Sequence, residues 1–487
     1  MSRKLLFRLL VVLSLVWGAW AGWGLATGAD PLTVSILDDV GSPVAGAELW
    51  EGDHLVGVTS DTGEAIIEWT GEEPALAVMA PGFPRLHIPV LGQAQASLEA
   101  VLRPQLLRGR IVDPDGRAVE GAYVTSSAGT SVTDLNGRFT LRKAEPGPVQ
   151  VWRPAWKGVA FEWDGSPGEE AVAIAPETMK SVHVSGDAAE ERWADFIKLA
   201  QTTELNSLML DLKDETGAVL YDTAVALSHR IGAVVPKYDL EQAIADAKRA
   251  EIYLIGRIVS FQDPIAAMGA PDMAVWDGAS GSVYEYNGQF FLDPTDPLAQ
   301  AYALDLAVEA CAAGVNEIQF DYVRFPDNRR DGAVFDDGAS EEIRTDTIRD
   351  FLATAVAELH PLGCAVAADI FGFLTKAIDD GGIGQQWEEI TSVIDVASPM
   401  LYPSHYASGW YGFQQPVDHP GALVGQALDD GLGRLARQIV VRPWLQDFGY
   451  DAGQVRAQIE AANSRNLGWM LWNAQSNVTV EALLLDE

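Results

Sequence analysis

Cationic side chains are scarce in this chain: 33 Lys and Arg stand against 69 Asp and Glu, a formal net charge of −36. Nucleic acid and anionic membrane surfaces repel such a protein, so neither is expected as a partner of its body. The acidic coat fits solubility, a salty habitat or a cationic substrate such as an amino sugar polymer, and charge alone does not choose. Cysteine is nearly absent. Cys311 falls on an expected helix and Cys364 at the start of an expected strand, with no CxxC or Cys/His spacing, which argues against a zinc site. The pair is open to two readings, one disulfide in an oxidising compartment or two buried thiols. The 7 histidines are too scattered for a metal centre, no GxGxxG follows an early strand, and there is no Walker sequence. Neither a metal nor a nucleotide cofactor is therefore expected.

What is present divides into four segments. Residues 1–28 carry Arg3, Lys4 and Arg8 ahead of the apolar stretch LLVVLSLVWGAWAGWGLA, the pattern of an export signal. Ala19-Trp20-Ala21 supplies a cleavage-type A-x-A site, while the apolar stretch is also just long enough to stay as a tilted membrane anchor. The expected location is outside the cytoplasm: secreted, periplasmic or at the cell surface.

The next part of the chain repeats itself. DDVGSPVAGAELW at 38–50 with TSDTGEAII matches DPDGRAVEGAYV at 113–124 with TDLNGRFTL. Gly turns at this density between short alternating runs of Val, Ile, Thr and Leu indicate two small antiparallel β-sandwiches, over residues 31–103 and 104–177. The repeats resemble the carboxypeptidase-regulatory-like domains. Their acidic turns, Asp113 to Gly116 and Asp134 to Gly137, hint at calcium, but the twelve-residue loop with its terminal Glu is missing and hairpin chemistry accounts for them.

From residue 178 to 487 strand-like apolar runs alternate with longer amphipathic stretches, the signal of βα units. Strands are expected near 181–184, 206–212, 252–259, 317–323, 364–371, 393–401, 438–444 and 468–473, and eight strands make a closed (β/α)8 barrel the natural count. A strand covered on both faces should read as an unbroken apolar run. EIQFDYVRFP at 317–326 breaks that rule with Asp321 and Arg324, which form either a buried ion pair or part of a reactive site. The same pattern recurs at other strand ends: Asp211, Lys213 and Asp214; Arg257; Asp369; Tyr402, His405 and Tyr406; Arg442, Trp444 and Asp447; Trp472 and Asn473. Barrel enzymes place their chemistry at these ends. Carboxylates mixed with aromatic rings suit a sugar site, where one carboxylic acid protonates the leaving oxygen, a second carboxylate attacks or acts as base, and rings cover the pyranose face.

The strings LNSLMLDLKDETGAVLYDT, IYLIGRIVSFQDP, EIQFDYVRFP, ADIFGF, GIGQQWE, SPMLYPSHY, VRPWLQDF and GWMLWNA, in this order, resemble the bacterial family described as a putative glycoside hydrolase with a TIM-barrel fold. The resemblance spans residues 178–487 and implies a glycosidase class without a known substrate. It implies Asp321 as nucleophile or charge stabiliser, at the strand end where related barrels place a catalytic carboxylate. Asp369 ranks first for the acid, ahead of Asp447 and Asp214. Asp211 is expected to hydrogen-bond inside the barrel mouth, with Lys213, Arg257 and Arg324 orienting the carboxylates and Tyr402, His405, Tyr406, Trp444, Trp472 and Asn473 as sugar contacts. The expected partner is a polysaccharide or oligosaccharide, with membrane attachment only through the N-terminal segment. The rival reading is a glycan-binding or envelope-scaffolding barrel without turnover. An esterase or deacetylase lacks both a metal triad and a serine elbow here.

Overall fold

The computed structural model describes residues 30–91, 95–327 and 332–484, and the expected signal or anchor at 1–28 lies outside them. Among the described residues no helix is long and apolar enough to cross a membrane. The chain forms two compact units, the first running to Leu107 with residues 141–147 and 164–167, the second comprising the remainder.

The two sequence repeats fold alike. In the first copy Asp30–Asp38 lies between Glu64–Trp69, antiparallel to it, and Ser97–Leu102, parallel to it. A four-stranded sheet faces this one, and Leu32, Val34, Ile36, Leu49, Ile67, Trp69, Leu76 and Val78 form the buried core. In the second copy Leu106–Val112 has the same two neighbours, Arg138–Arg142 and the parallel strand Glu169–Ala173. Equivalent side chains do equivalent work. Asp38 Oδ1 accepts from the amides of Val40 and Ser42, and Asp113 Oδ1 from those of Asp115 and Arg117. Thr59 and Thr133 each donate to one backbone carbonyl and accept from one amide of the facing segment. The acidic turns thus use their oxygens to satisfy backbone donors that a turn leaves unpaired.

The C-terminal region is a closed barrel of eight parallel strands: β1 Lys180–Val184, β2 Ser207–Lys213, β3 Tyr253–Val259, β4 Glu317–Asp321, β5 Ala365–Phe371, β6 Val396–Leu401, β7 in two pieces, Val440–Val441 and Trp444–Gln446, and β8 Trp469–Trp472. Pairing of β1 with β8 and of β5 with β6 closes the ring. Pro443, which has no N–H to give a ladder, separates the two pieces of β7. The expected strand six began too early, because Trp387–Val393 is helical and the chain pairs only from Val396. Helices follow the strands, opened by side-chain caps such as Ser185, Asp239, Asp296, Ser340 and Asp451.

Alternation along the strands decides what points where. Leu208, Leu210 and Leu212 of β2, Ile318 and Phe320 of β4 and Val366, Ala368 and Ile370 of β5 join the outer core beneath the helices. The intervening positions carry the other set: Met209 and Asp211, Gln319 and Asp321, Ala367 and Asp369. Met209, Ile255, Trp444 and Met470 form a separate buried cluster with Tyr402, and these positions face the barrel axis.

The second sandwich closes the floor. Ala155, at φ +62°, packs against Ala365, Ala367, Val396 and Val440 at the N-terminal ends of β5, β6 and β7. Beside it Arg153 donates to the Gln438 carbonyl at 2.8 Å, and Gln438 donates to Asp113 at 2.7 Å. Burial pushes the Arg153 guanidinium down to about 10, with the Trp156 ring 4.8 Å away. The barrel with its sandwich (residues 104–487) should therefore melt above the barrel alone (residues 178–487) by roughly 5 °C or more in scanning calorimetry, since truncation exposes the apolar floor. Equal midpoints would show the floor contact to be idle.

Of the two readings of the cysteines the structure shows the disulfide, Cys311–Cys364, joining the end of the helix Pro297–Ala313 to the residue before β5. It spans 53 residues. Thiol titration of the denatured, unreduced protein should find no reactive thiol, and the double Cys→Ser variant should lose about 2–4 kcal/mol of stability.

Candidate active site

The inward residues at the C-terminal ends of the strands surround a cavity of about 500 Å³ whose lining includes Arg257, Asp321, Asp369, Tyr402, Trp444 and Trp472. Its centre is Arg257 of β3, 1% exposed. The guanidinium donates through Nε and Nη2 to Asp321 Oδ2, at 2.9 and 2.6 Å, and through Nη1 to Asp211 Oδ1 at 2.9 Å. Glu215 adds a carboxylate at 3.6 Å, and the Trp472 ring lies 5.0 Å from the guanidinium carbon. The paired carboxylates hold Arg257 above its ordinary range against the cost of burial. Asp211 is in turn held below the usual carboxylate range, against its own burial, by His183 and Arg257. His183 reaches Asp211 through Nε2 and the Asn473 carbonyl through Nδ1, both at 2.9 Å, and stacks on Trp472.

Asp321 and Asp369 stand side by side. In the β4–β5 ladder Phe320 pairs with Ala368, so the next residue on each strand is a carboxylate. Their surroundings differ sharply. Asp321 faces Arg257 and also accepts the Tyr322 amide at 2.6 Å. Asp369 is 1% exposed, and both of its donors, Gln319 Nε2 and Trp444 Nε1, reach Oδ1, the latter at 2.6 Å. Among the described residues no donor reaches its Oδ2. Burial first, and the neighbouring Asp321 charge second, push Asp369 well above the usual carboxylate range.

The backbone at this rim is constrained. Tyr322, directly after Asp321, sits at φ +48°, a left-handed conformation that costs a non-glycine residue and concentrates at functional sites. Gln385 pins the end of β5 by donating to the Asp369 carbonyl at 2.8 Å and accepting the Phe371 amide at 3.0 Å. A Cβ on Gly372 would stand 2.3 Å from the Met400 carbonyl, so only glycine lets the chain turn under the cavity wall.

Of the residues singled out in the sequence, the cavity gathers Asp321, Asp369, Arg257, Arg324, Tyr402, His405, Tyr406, Trp444 and Trp472. Burial pushes the His405 imidazole down and the Tyr402 phenol well up. The others lie outside the lining, and their contacts explain why. Asp214 accepts from the Thr216 amide and hydroxyl and from the Ala218 amide, capping the turn after β2. Asp447 accepts the Thr479 amide, and Asn473 donates to the Asp447 carbonyl, so the two fasten the loop after β8. Lys213 is buried against Asp263 at 2.9 Å and the Val259 carbonyl at 2.6 Å. Asp211 reaches the site only through Arg257. The considered Asp321–Arg324 ion pair does not form: Arg257 takes Asp321, because β3 and β4 lie adjacent in register. Reading the sequence missed His183, Glu215, Tyr322, Gln385 and Trp410. The inward parity of His183 with Asp211, Asp321 and Asp369 was the signal available for one of them. Among the described residues no group of three or more His, Cys, Asp or Glu is arranged to hold a metal ion.

Residues 181–478 match the family model described as "Putative glycosyl hydrolase domain", more than half of the chain, and the protein belongs to this family. No curated protein matches the chain. Among solved structures it is similar to a hypothetical protein from Ruminiclostridium thermocellum (32% identity, 38% of this chain and 96% of that one, TM-score 0.35). It is also similar to the PgaB (BpsB) glycoside hydrolase domain from Bordetella bronchiseptica (12% identity, 64% and 100%, TM-score 0.47). A third is the glycoside hydrolase domain of PelA from Pseudomonas aeruginosa (11% identity, 62% and 97%, TM-score 0.37).

The Asp369 carboxyl, pushed up by burial, has a defined pH signature. Its proton is lost as pH rises through a value well above the ordinary carboxylate pKa of about 4, so the alkaline limb of kcat/KM should follow Asp369. The same group stabilises the fold below its unfolded pKa and loses that contribution as pH rises through the folded one. Asp369→Asn should abolish turnover yet flatten the alkaline fall of the melting temperature, measured by calorimetry across pH. A wild-type alkaline fall retained in the variant would remove Asp369 from this role.

Proposed function

We propose that the barrel is a retaining glycoside hydrolase acting on an extracellular or cell-surface polysaccharide. The observation that carries this reading is the pair Asp321 and Asp369: two carboxyl groups in register on adjacent strands, one facing a guanidinium and the other buried and pushed well above the usual carboxylate range. A carboxyl raised by burial beside one that faces a guanidinium suits the roles of acid and nucleophile. Asp369 protonates the glycosidic oxygen through Oδ2, while Asp321 attacks the anomeric carbon as a carboxylate. Once the leaving group has gone, Asp369 takes a proton from water, which then releases the sugar from Asp321. Neighbouring strand backbones lie about 4.8 Å apart, which suits the roughly 5–5.5 Å carboxyl separation of retaining enzymes better than the 6.5–9.5 Å of inverting ones.

Tyr402, Trp444 and Trp472 supply ring faces and edges around the carboxyls, which supports a pyranose as the occupant. Export is supported by the signal-like sequence at 1–28 and by a disulfide, a bond that persists in oxidising compartments. Attachment through 1–28 and the boundaries 31–103, 104–177 and 178–487 belong to the same proposal.

The test is incubation of the full chain with a polysaccharide panel, reading new reducing ends and, for a cleaved glycan, the anomer released first by NMR. Cleavage with retained configuration is expected, with Asp321→Asn slower by on the order of 10³-fold. An Asp321→Asn variant cleaving at the wild-type rate would overturn the assignment. Binding across the panel without any cleavage would favour the glycan-binding reading instead.

A further inference from the structure

Arg324 differs from the other buried cations around the barrel. Arg257 has Asp211 and Asp321, Lys213 has Asp263, Arg442 has Glu317, and Arg344 has both oxygens of Asp380 at 2.7 and 2.8 Å. The Arg324 side chain is 6% exposed and lines the cavity, yet no carboxylate hydrogen-bonds to it. Nη1 donates to the Phe325 carbonyl at 3.1 Å, and Asp327 stands 4.0 Å from Nη2 with its own side chain 45% exposed. Among the described residues nothing accepts from Nε or Nη2 within hydrogen-bond distance. Rings surround the guanidinium instead: Tyr322 at 5.1 Å, Phe371 at 5.2 Å and Phe291 at 5.9 Å, the first two also lining the cavity. A charge removed from water in this way is unfavourable until an anion reaches it. Burial accordingly pushes the guanidinium below its ordinary range.

We propose that Arg324 determines specificity by binding a carboxylate carried on the sugar, so that the substrate is an acidic, uronate-type glycan. The inference rests on the glycoside hydrolase reading and adds its substrate class. Arg324 and Asp321 line the same cavity of about 500 Å³, so the anion it binds belongs to the glycan held there. A planar guanidinium fork matches a planar carboxylate, and the flanking rings of Tyr322 and Phe371 accept the sugar body. A cationic amino sugar would need an available carboxylate here, and Asp321 and Glu215 both face Arg257 already. The protein's negative charge does not oppose this, since distant surface charges are screened within about 8–10 Å at ordinary salt while Arg324 meets its ligand directly.

The experiment is calorimetric titration of full-length Asp321→Asn with oligoglucuronate, oligogalacturonate, neutral oligoglucose, sulfated oligoglucose and oligoglucosamine of equal length. At least one uronate series should bind at least about tenfold tighter than the neutral one, and adding Arg324→Gln should remove that preference, a loss on the order of 30-fold or more for a buried charge contact. Arg324→Lys, which keeps the charge and loses the fork, should restore part of it. If the glutamine variant fails to fold by circular dichroism, the lysine variant carries the test through a reduced uronate preference. A uronate preference that survives both substitutions, or tighter binding of the neutral, sulfated or amino sugar series, would overturn the inference. The two readings fail separately. Wild-type cleavage of neutral glycans with no uronate binding keeps the hydrolase and removes the Arg324 role; uronate binding lost in Arg324→Gln, with no new reducing ends from any wild-type digestion, does the reverse.

Discussion

Everything in the barrel mouth depends on one buried guanidinium. Arg257 is almost fully removed from water, so it is tolerable only with anions in contact, and Asp211 and Asp321 provide them from the strands on either side. That requirement orders the rest. Asp321, drawn to Arg257, cannot also serve its neighbour on β5, and Asp369 is left with a donor amide, an indole N–H and a like charge one strand away. The offset of Arg257 to one side of the pair gives the two carboxyls different surroundings.

The offset follows from strand parity. Along each barrel strand alternate residues face the axis, so Gln319 and Asp321, Ala367 and Asp369, and Ile255 and Arg257 form layers rather than a random scatter. The uppermost layer is charged and aromatic, the next holds Met209, Ile255 and Met470, and the floor is closed by small residues under Ala155. Beneath the mouth the axis also holds the buried ion pair of Glu317 and Arg442, so a second charge pair is enclosed between the site and the floor. The second sandwich covers the opposite end of the barrel from the cavity, through Ala155 against Ala365, Ala367, Val396 and Val440.

The fold was legible because its signals are redundant: eight apolar runs, capped helices between them and a duplicated turn pattern all point the same way. The site was legible only in part, for a reason visible in Asp214 and Asp447. A carboxylate just after a strand serves a turn as well as it serves a substrate, and both of these cap loop amides. Position within the strand discriminates better. Asp321 and Asp369 are in register with inward residues of their own strands, whereas Asp214 and Asp447 lie one residue past the last paired position. Parity along the run would also have selected His183. Glu215 and Trp410 reach the cavity on loops, where no periodicity marks them.

Arg324 shows the limit of pairing arguments from sequence spacing. Three residues from Asp321, it reads as that carboxylate's partner, but Tyr322 turns the chain at φ +48° and the two side chains part. Asp321 is then satisfied across the sheet by Arg257, and Arg324 is turned among rings. The strained residue thus parts two neighbouring charges: a carboxylate that faces Arg257, and a guanidinium on the cavity wall to which, among the described residues, no carboxylate hydrogen-bonds. The floor supplies the contrast. Among the described residues no carboxylate hydrogen-bonds to Arg153 either, but it donates to the Gln438 carbonyl beside the Trp156 ring and is not part of the lining of the barrel-mouth cavity. Two similar electrostatic deficits therefore have different consequences. One is closed within the fold, and the other opens toward whatever enters the barrel.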